Sequence, residues 1–258
     1  MERTGGCPVT SNLESGARGT LGTVRNAMLL LELMSEGPAY RPLSDLAQAS
    51  GLTLPTVHRL LRSLVLAQLV EQEVRTSRYG LGPELTRLSE RYLARLPILG
   101  ALSPYLVPLR DHVATTVHVA ILVRGSVVYV DRVDGDDSGP YRTSRRTEPA
   151  LSTPAGRILA SRADPEEWQL ALDRADQQEQ DEAEQQRTTW AAATYLTIVE
   201  QFSATPQELA VPVFDGTGRA RAALIASLKP GASQDRIDDI VGHLTHTAIA
   251  AGRTLGHG

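Results

Sequence analysis

Residues 41 to 64, RPLSDLAQASGLTLPTVHRLLRSL, restrict the possible folds of this chain more than any other stretch. Two short runs with apolar residues at helical spacing flank Gly51. The first run bears Leu46, Ala47 and Ala49. It has Ser44 as its expected N-cap and Gly51 where a helix most readily ends in a left-handed residue. The second run opens at Thr53, an expected cap, with Leu54, Pro55 and Thr56 as its first turn. Pro55 is tolerated there because the N–H it lacks would find no partner inside the helix. Val57, Leu60, Leu61 and Leu64 then paint one apolar stripe. His58, Arg59 and Arg62 are left on the other side, and no acid occurs between residues 52 and 64.

A short helix, a Gly-containing turn and a capped helix make a helix-turn-helix, whose second member enters the DNA major groove with its N-terminal residues against the bases. Upstream, Val24, Ala27, Met28, Leu31 and Met34 predict a first helix that stops at Gly37-Pro38. Downstream, Leu69, Val70 and Val74 read as one strand and Arg78 to Leu81 as another, around a Thr76-Ser77 turn. A hairpin at that place is a wing. Arg75 and Arg78 flank its tip, where a phosphate or minor groove would lie. GPELTRLSERYLARL then resumes helical spacing through Leu85, Leu88, Tyr92 and Leu96. Its Arg87, Arg91 and Arg95 read as a solvated face, and pairing of the helix with its own copy in a dimer is the alternative.

Beyond residue 98 the pattern changes. A helix to about residue 114 precedes VHVAILVRGSVVYVDRVDG, two β-branched runs around an Arg124-Gly125 turn. YRTSRR is expected as a third strand. TPAGRILASR and PEEWQLALDRA are expected helices, starting near Pro154 and Pro165. DQQEQDEAEQQR, polar all round, suits an exposed helix end or loop. LAVPVFDGTGRARAALIASL supplies two more strands around Asp215 to Gly218, and a closing amphipathic helix runs from about Ser233 to Leu255. This order describes an α+β domain with a mostly antiparallel sheet.

Composition narrows the function classes. The chain has 258 residues, 41% of them hydrophobic, and a formal net charge of -4, enough apolar content for one large or two modest cores. Residues 21–82 carry six Lys/Arg against five Asp/Glu and residues 83–258 eighteen against twenty-three, so most of the negative charge belongs to the second part. A purely electrostatic nucleic-acid binder is excluded, whereas a local basic face is not. The lone Cys7 provides neither a disulfide framework nor a cysteine metal site, which fits a reducing cytoplasm. The first twenty residues lack the apolar core of a signal peptide and read as a flexible tail, and nothing later approaches a membrane span.

The segments LLLELMSEG, LSDLAQASGL, PTVHRLLRSL and LVEQE…SRYGLGPEL, followed by TVHVAILVRGSVVYVDRV, resemble the IclR family of bacterial transcription regulators. The resemblance continues through STPAGRILAS and LAVPVFDGTGRARAALIASL, over about residues 21–255. It implies a winged helix-turn-helix domain at 21–82, a linker helix at 83–97 and a GAF-like or PAS-like effector-binding domain at 98–258. It also implies dimers, often paired into tetramers, on palindromic promoter sites of double-stranded DNA. No cofactor is implied.

Carried over position by position, the resemblance brings specific expectations. Where the family's third helix commonly opens with a Pro-Lys-Ser-Thr-like sequence, this chain has Thr53, Leu54, Pro55 and Thr56. Leu54 and Pro55 donate no hydrogen bond, but either can pack on a thymine methyl. Base reading then falls to Thr56, Arg59 and His58, with packing against the preceding helix as the alternative for His58. Thr53 serves as cap or phosphate contact, Arg62 meets phosphate, and Ser44 joins the DNA-facing set. In the second domain, carboxylate-binding members resemble one another at places where this chain has Ile198, Glu208 and Ile225-Ala226-Ser227. Glu208 beside Ile198 and Ile225 is expected to repel a small anion and favour an apolar or cationic effector. The loop Leu151-Ser152-Thr153-Pro154-Ala155-Gly156 is expected to offer Ser152, Thr153 and the N–H groups of Ala155 and Gly156 to a polar ligand atom. The alternative is a pocket that binds nothing.

An enzyme is the main rival class, resting on His112, His118, His243 and His246. No HExxH, Gly-x-Ser-x-Gly elbow or phosphate-cradling loop accompanies these histidines, so neither catalysis nor a metal site is expected. A protein-interaction module built on a winged helix is the other rival.

Overall fold

The computed structural model describes residues 22–136, 146–197, 207–229 and 231–255. The chain divides into two compact units, with the boundary between Tyr92 and Leu93. It therefore falls inside the span 83–97 expected as a linker.

In the first unit α1 (Gly22–Ser35), α2 (Leu43–Ser50) and α3 (Leu54–Leu66) are followed by a hairpin of β1 (Val70–Gln72) and β2 (Tyr79–Leu81), then α4 (Glu84–Leu93). The α3 stripe is as expected, with Val57, Leu60, Leu61 and Leu64 buried. They pack with Leu30, Leu33, Met34, Leu46, Ala47, Val70 and Tyr79 into one core. The α1 stripe differs from expectation. Leu30, Leu33 and Met34 go inward, whereas Val24 and Met28 stay exposed. With apolar residues at most positions from Ala27 to Met34, sequence periodicity alone does not choose the face. Gly51 ends α2 at φ 67°, the left-handed turn expected of it. Ser50 adds to the turn by accepting the Leu52 N–H at 3.3 Å.

Two boundaries shift. Pro42, not Ser44, occupies the position before α2; its φ of -70° and ψ of 155° set the chain up to enter the helix at Leu43, and Ser44 lies within the first turn. Helix α4 ends at Leu93 and not near Leu96, which instead precedes the next helix. It buries no residue, and Leu88 and Tyr92 are exposed.

The second unit begins with α5 (Pro97–Val113) and the hairpin β3 (Val117–Val123) and β4 (Ser126–Val133). A short β5 (Thr147–Pro149), a 3-10 turn (Ala150–Ser152), α6 (Pro154–Ser161), α7 (Pro165–Asp173) and α8 (Gln177–Ala192) follow. The unit closes with β6 (Leu196–Thr197), β7 (Gln207–Phe214), β8 (Ala220–Leu228) and α9 (Gln234–Leu255). Strands run in the order β5-β4-β3-β8-β7-β6, and every described pairing is antiparallel. The expected third strand YRTSRR lies mostly outside the described residues; the described strand begins at Thr147.

Period-two alternation gives the sheet two apolar faces. Leu224 and Ala226 of β8 join Leu209 and Val211 of β7 in a core with Leu102, Leu106, Leu244 and Ala248 of α5 and α9. Ala223 and Ile225 point to the other face, into a core with Ala155 and Ile158 of α6, Trp168 of α7 and Trp190 of α8. The polar run expected as a helix end or loop is a full helix, α8, started by a capping box between Asp176 and Glu179. It is anchored by buried Ala183 and Trp190, and Arg157 forks onto Glu182 at 2.8 and 2.9 Å. Among the described residues no single helix is long and apolar enough to cross a membrane.

Candidate nucleic-acid interface and the polar cluster of the second unit

The amphipathic α3 must turn its polar side outward because its other side is the core of the first unit. Leu54, Pro55, His58, Arg59 and Arg62 are accordingly all exposed. His58 is exposed, which does not suit a role spent in packing against α2. Leu54, His58 and Arg62 follow one another at steps of four, as do Pro55 and Arg59, so an apolar head at the start of the helix leads into a cationic face. Thr53 stands at the N-cap but makes no side-chain bond to the backbone. Its hydroxyl and that of Thr56 instead lie 2.9 Å apart. Ser44 is exposed, and its hydroxyl donates to the Asp45 carboxylate at 3.3 Å.

The wing is held by Glu73, whose N–H donates to Arg78 O and whose O accepts from Ser77 N, each at 2.8 Å. Its carboxylate takes the Thr76 hydroxyl, and Ser77 turns the chain at φ 57°. Arg75 and Arg78 are exposed on this turn. Among the described residues no carboxylate pairs with Arg59, Arg62, Arg75 or Arg78. Unpaired guanidinium groups on a helix face and a wing tip are suited to phosphates and to the acceptor edges of guanine.

The residues expected around an effector do not all come together. Ser152 is exposed and donates to Glu179 at 2.7 Å. Thr153 is buried and caps α6, accepting the Gly156 N–H at 3.0 Å, and its carbonyl takes the Arg157 N–H at the same distance. A Cβ on Gly156 would stand 1.9 Å from Ala150 O, so this backbone is packed on the 3-10 turn. Ala155 is fully buried. Ser152, Thr153 and the Gly156 N–H are therefore used inside the fold. Ile198 lies outside the described residues.

Glu208, Ile225 and Ser227 do share a sheet face, because Glu208 pairs with Ser227 and Ala210 with Ile225 in register. Around them stand three residues the sequence reading did not assign to a site. The Tyr129 hydroxyl donates to Glu208 at 2.8 Å, and Arg146 donates to its other oxygen at 2.5 Å. The Arg146 guanidinium lies 4.0 Å from the centre of the Tyr129 ring, and His118 meets that ring edge-on at 5.5 Å. Glu208 therefore presents no free negative charge, and the expectation that it repels an anion loses its basis. Burial pushes His118 down to about 4, with Arg132 and Arg146 acting in the same direction, so its ring is neutral at neutral pH. Burial and then Glu208 raise the Tyr129 phenol above its ordinary value. For Arg146, burial opposes the charge, but Glu208 and Tyr129 outweigh it and raise its pKa. One sequence signal was available: in VHVAILV the only polar side chain sits between β-branched residues on a strand.

Elsewhere in this unit a groove of about 930 Å³ runs between the end of α8, the β7–β8 turn and α9, lined in part by Arg162, Phe214, Thr245 and Ile249. Among the described residues none of those expected around an effector lines it. The Asp215 turn is a hairpin, its carboxylate taking Thr217 N and Oγ1 and Arg221 Nε at 2.6 to 2.8 Å. His243 lies 3.5 Å from Asp239, and no cluster of three or more metal-binding side chains exists among the described residues.

Residues 23–74 match the IclR helix-turn-helix domain. Over 91% of this chain and 97% of the relative, the sequence is 23% identical to the HTH-type transcriptional regulator XynR of Escherichia coli K12. The fold is similar to that of an IclR family transcriptional regulator from Brucella abortus, with TM-score 0.77 and 19% identity over 98% of this chain and 99% of that one. It is also similar to an IclR homolog from Microbacterium hydrocarbonoxydans complexed with 4-hydroxybenzoate, with TM-score 0.66 and 19% identity over 92% of this chain and all of that one. The Escherichia coli and Brucella abortus proteins are described as transcriptional regulators.

Proposed function

We propose that this chain, whose residues 23–74 match the IclR helix-turn-helix domain, is a DNA-binding transcriptional regulator of the IclR type, and that it is a cytoplasmic, effector-responsive repressor acting on a palindromic operator as a dimer or dimer of dimers. The observation that carries the DNA reading is the α3 face, where Leu54, His58, Arg59 and Arg62 are exposed without a pairing acid among the described residues. Thr56, Arg59 and His58 read base edges, and Leu54 and Pro55 pack on thymine methyls. Thr53, Arg62 and Ser44 position the helix on phosphates, and Arg75 and Arg78 place the wing on the adjoining backbone. The uncovered apolar side of α4, with Leu88 and Tyr92, supports self-association.

The effector reading rests on the second unit's fold, which is shared with a homolog complexed with 4-hydroxybenzoate. Its site is the sheet face around Glu208, Ile225 and Ser227, together with His118, Tyr129 and Arg146. A ligand there changes transcription only by binding one DNA-binding arrangement of the dimer more tightly than another. Titrating the full chain against its own upstream DNA over a range of salt tests the reading. Affinity should fall steeply as salt rises, in proportion to the phosphates neutralised. Salt-independent binding would instead mark a protein-interaction module.

A further inference from the structure

An aromatic face set against a carboxylate is the combination that selects guanidinium, amidinium and ammonium groups. Tyr129 and Glu208 form such a pair, joined by a hydrogen bond of 2.8 Å, and the cation they hold is the chain's own Arg146. We propose that this is a receptor for an organic cation occupied intramolecularly by Arg146, and that the effector is a cation on an apolar body which displaces Arg146 from Tyr129 and Glu208. The proposal rests on the effector-binding reading of the second unit.

Three observations carry it. Arg146 is more exposed than Glu208 and Tyr129, the groups that hold it. Its side chain keeps 34% of its exposure, against 12% for Glu208, and Tyr129 beneath it is 4% exposed. Its Nε is buried without a hydrogen bond and meets the Glu148 carboxylate only at 3.6 Å, so this edge of the guanidinium fits its place imperfectly. Among the described residues no second cation is bonded to the same carboxylate: His118 is an aromatic neighbour of Tyr129, and Arg132 is bonded to Asp134 at 2.6 Å.

Charge balance gives the same answer. Exchanging one cation for another leaves Glu208 neutralised while Arg146 moves to water, so the charge held in the cluster does not change. An anion that took Arg146 away from Glu208 would leave that carboxylate buried and uncompensated, which is costly. Ile225, fully buried on the same sheet face, supplies an apolar floor for the body of the ligand.

Benzamidine and benzoate have nearly the same shape and opposite charge, so calorimetric titration of the full chain with each tests the sign of the site. Benzamidine should bind, and Arg146→Gln should bind it about tenfold more tightly, since a self-occupied site loses apparent affinity in proportion to the fraction that is closed. Glu208→Gln should abolish binding. So should the double variant Arg146→Gln/Glu208→Gln, which leaves no unpaired charge to compromise folding. Benzoate binding that Arg146→Gln removes, or an Arg146→Gln protein no better at binding benzamidine, would overturn the proposal. Tighter benzamidine binding without any change in DNA affinity would uphold the cation receptor and remove the effector reading.

Discussion

Thr53 and Thr56 face each other hydroxyl to hydroxyl at 2.9 Å across the first turn of α3, and Thr53 caps no backbone N–H. Thr153 stands in the same position before α6 but accepts the Gly156 N–H at 3.0 Å while buried. The same residue type therefore stabilises one helix and leaves the other's first turn open to a ligand. Thr153→Ala should destabilise α6 by about 1–2 kcal/mol, the usual cost of losing a cap, and Thr53→Ala should cost α3 less than about 0.5 kcal/mol. Native-state hydrogen exchange of amides in the two helices measures both. Equal losses of protection would contradict the geometry.

Leu54 is 52% exposed in that open first turn, where a polar side chain would be expected to meet the bases. Covering a methyl group contributes about 0.8 kcal/mol, or roughly fourfold in affinity. In a duplex selected from randomised DNA by the full chain, replacing thymine by uracil at the contacted position should weaken binding by that factor. The uracil duplex should bind Leu54→Ala as well as the thymine duplex does. A wild-type protein indifferent to uracil at every position would remove Leu54 from base reading.

Arg59 lies on the exposed α3 face and Arg75 on the wing turn. Arg59→Ala should cost about 1–3 kcal/mol on the preferred duplex and flatten discrimination at one base pair. Arg75→Ala should weaken all duplexes alike and reduce the salt slope by about one unit. Competition binding against single-base variants at several salt concentrations separates the two behaviours.

His118, held down to about 4 by burial, links stability to pH. In the unfolded chain its pKa is near 6.5, so between about 6.5 and 4 the unfolded state binds the proton that the folded state refuses. The stability contributed by neutral His118 is complete above about 6.5 and is lost as pH falls toward 4. Urea unfolding of the second unit at pH 7 and pH 5 should show a larger loss for wild type than for His118→Gln. Parallel losses would mean that the ring is protonated in place.

Arg162 donates to Ile158 O at 2.9 Å, Trp190 O at 2.8 Å and Ala193 O at 2.5 Å, tying the end of α6 to the end of α8. Arg162→Met keeps most of the volume but leaves three carbonyls without that donor. A loss of about 2–3 kcal/mol is expected. Thermal unfolding checks it, and a change within error would show that water satisfies the carbonyls.

Most of the element order could be read from local signals. The α3 stripe, Gly51, the Arg124-Gly125 turn and the starts at Pro154 and Pro165 depend on residues within a turn or two of one another, and the structure has each in its expected place. The errors fall where local signals are silent or ambiguous. Apolar residues at most positions from Ala27 to Met34 of α1 suit several faces, Pro42 displaced Ser44 from the cap, and the polar run of α8 is helical because Ala183 and Trp190 dock on a core contributed by other elements.

The sequence by itself determined a winged helix-turn-helix with an uncompensated cationic face, because helix periodicity, capping and turn residues act over short distances and the stripe of α3 permits only one face to be buried. Only the tertiary structure decided what Glu208 does. Its partners Tyr129 and Arg146 lie 79 and 62 residues earlier in the chain. Tyr129 on β4 and Arg146, just before β5, reach it through the sheet order β5-β4-β3-β8-β7, which local patterning does not specify. A residue that reads in isolation as a free negative charge is, in the folded chain, one half of a neutral pair, because a partly buried carboxylate is stable only with a counter-charge and hydrogen-bond donors beside it.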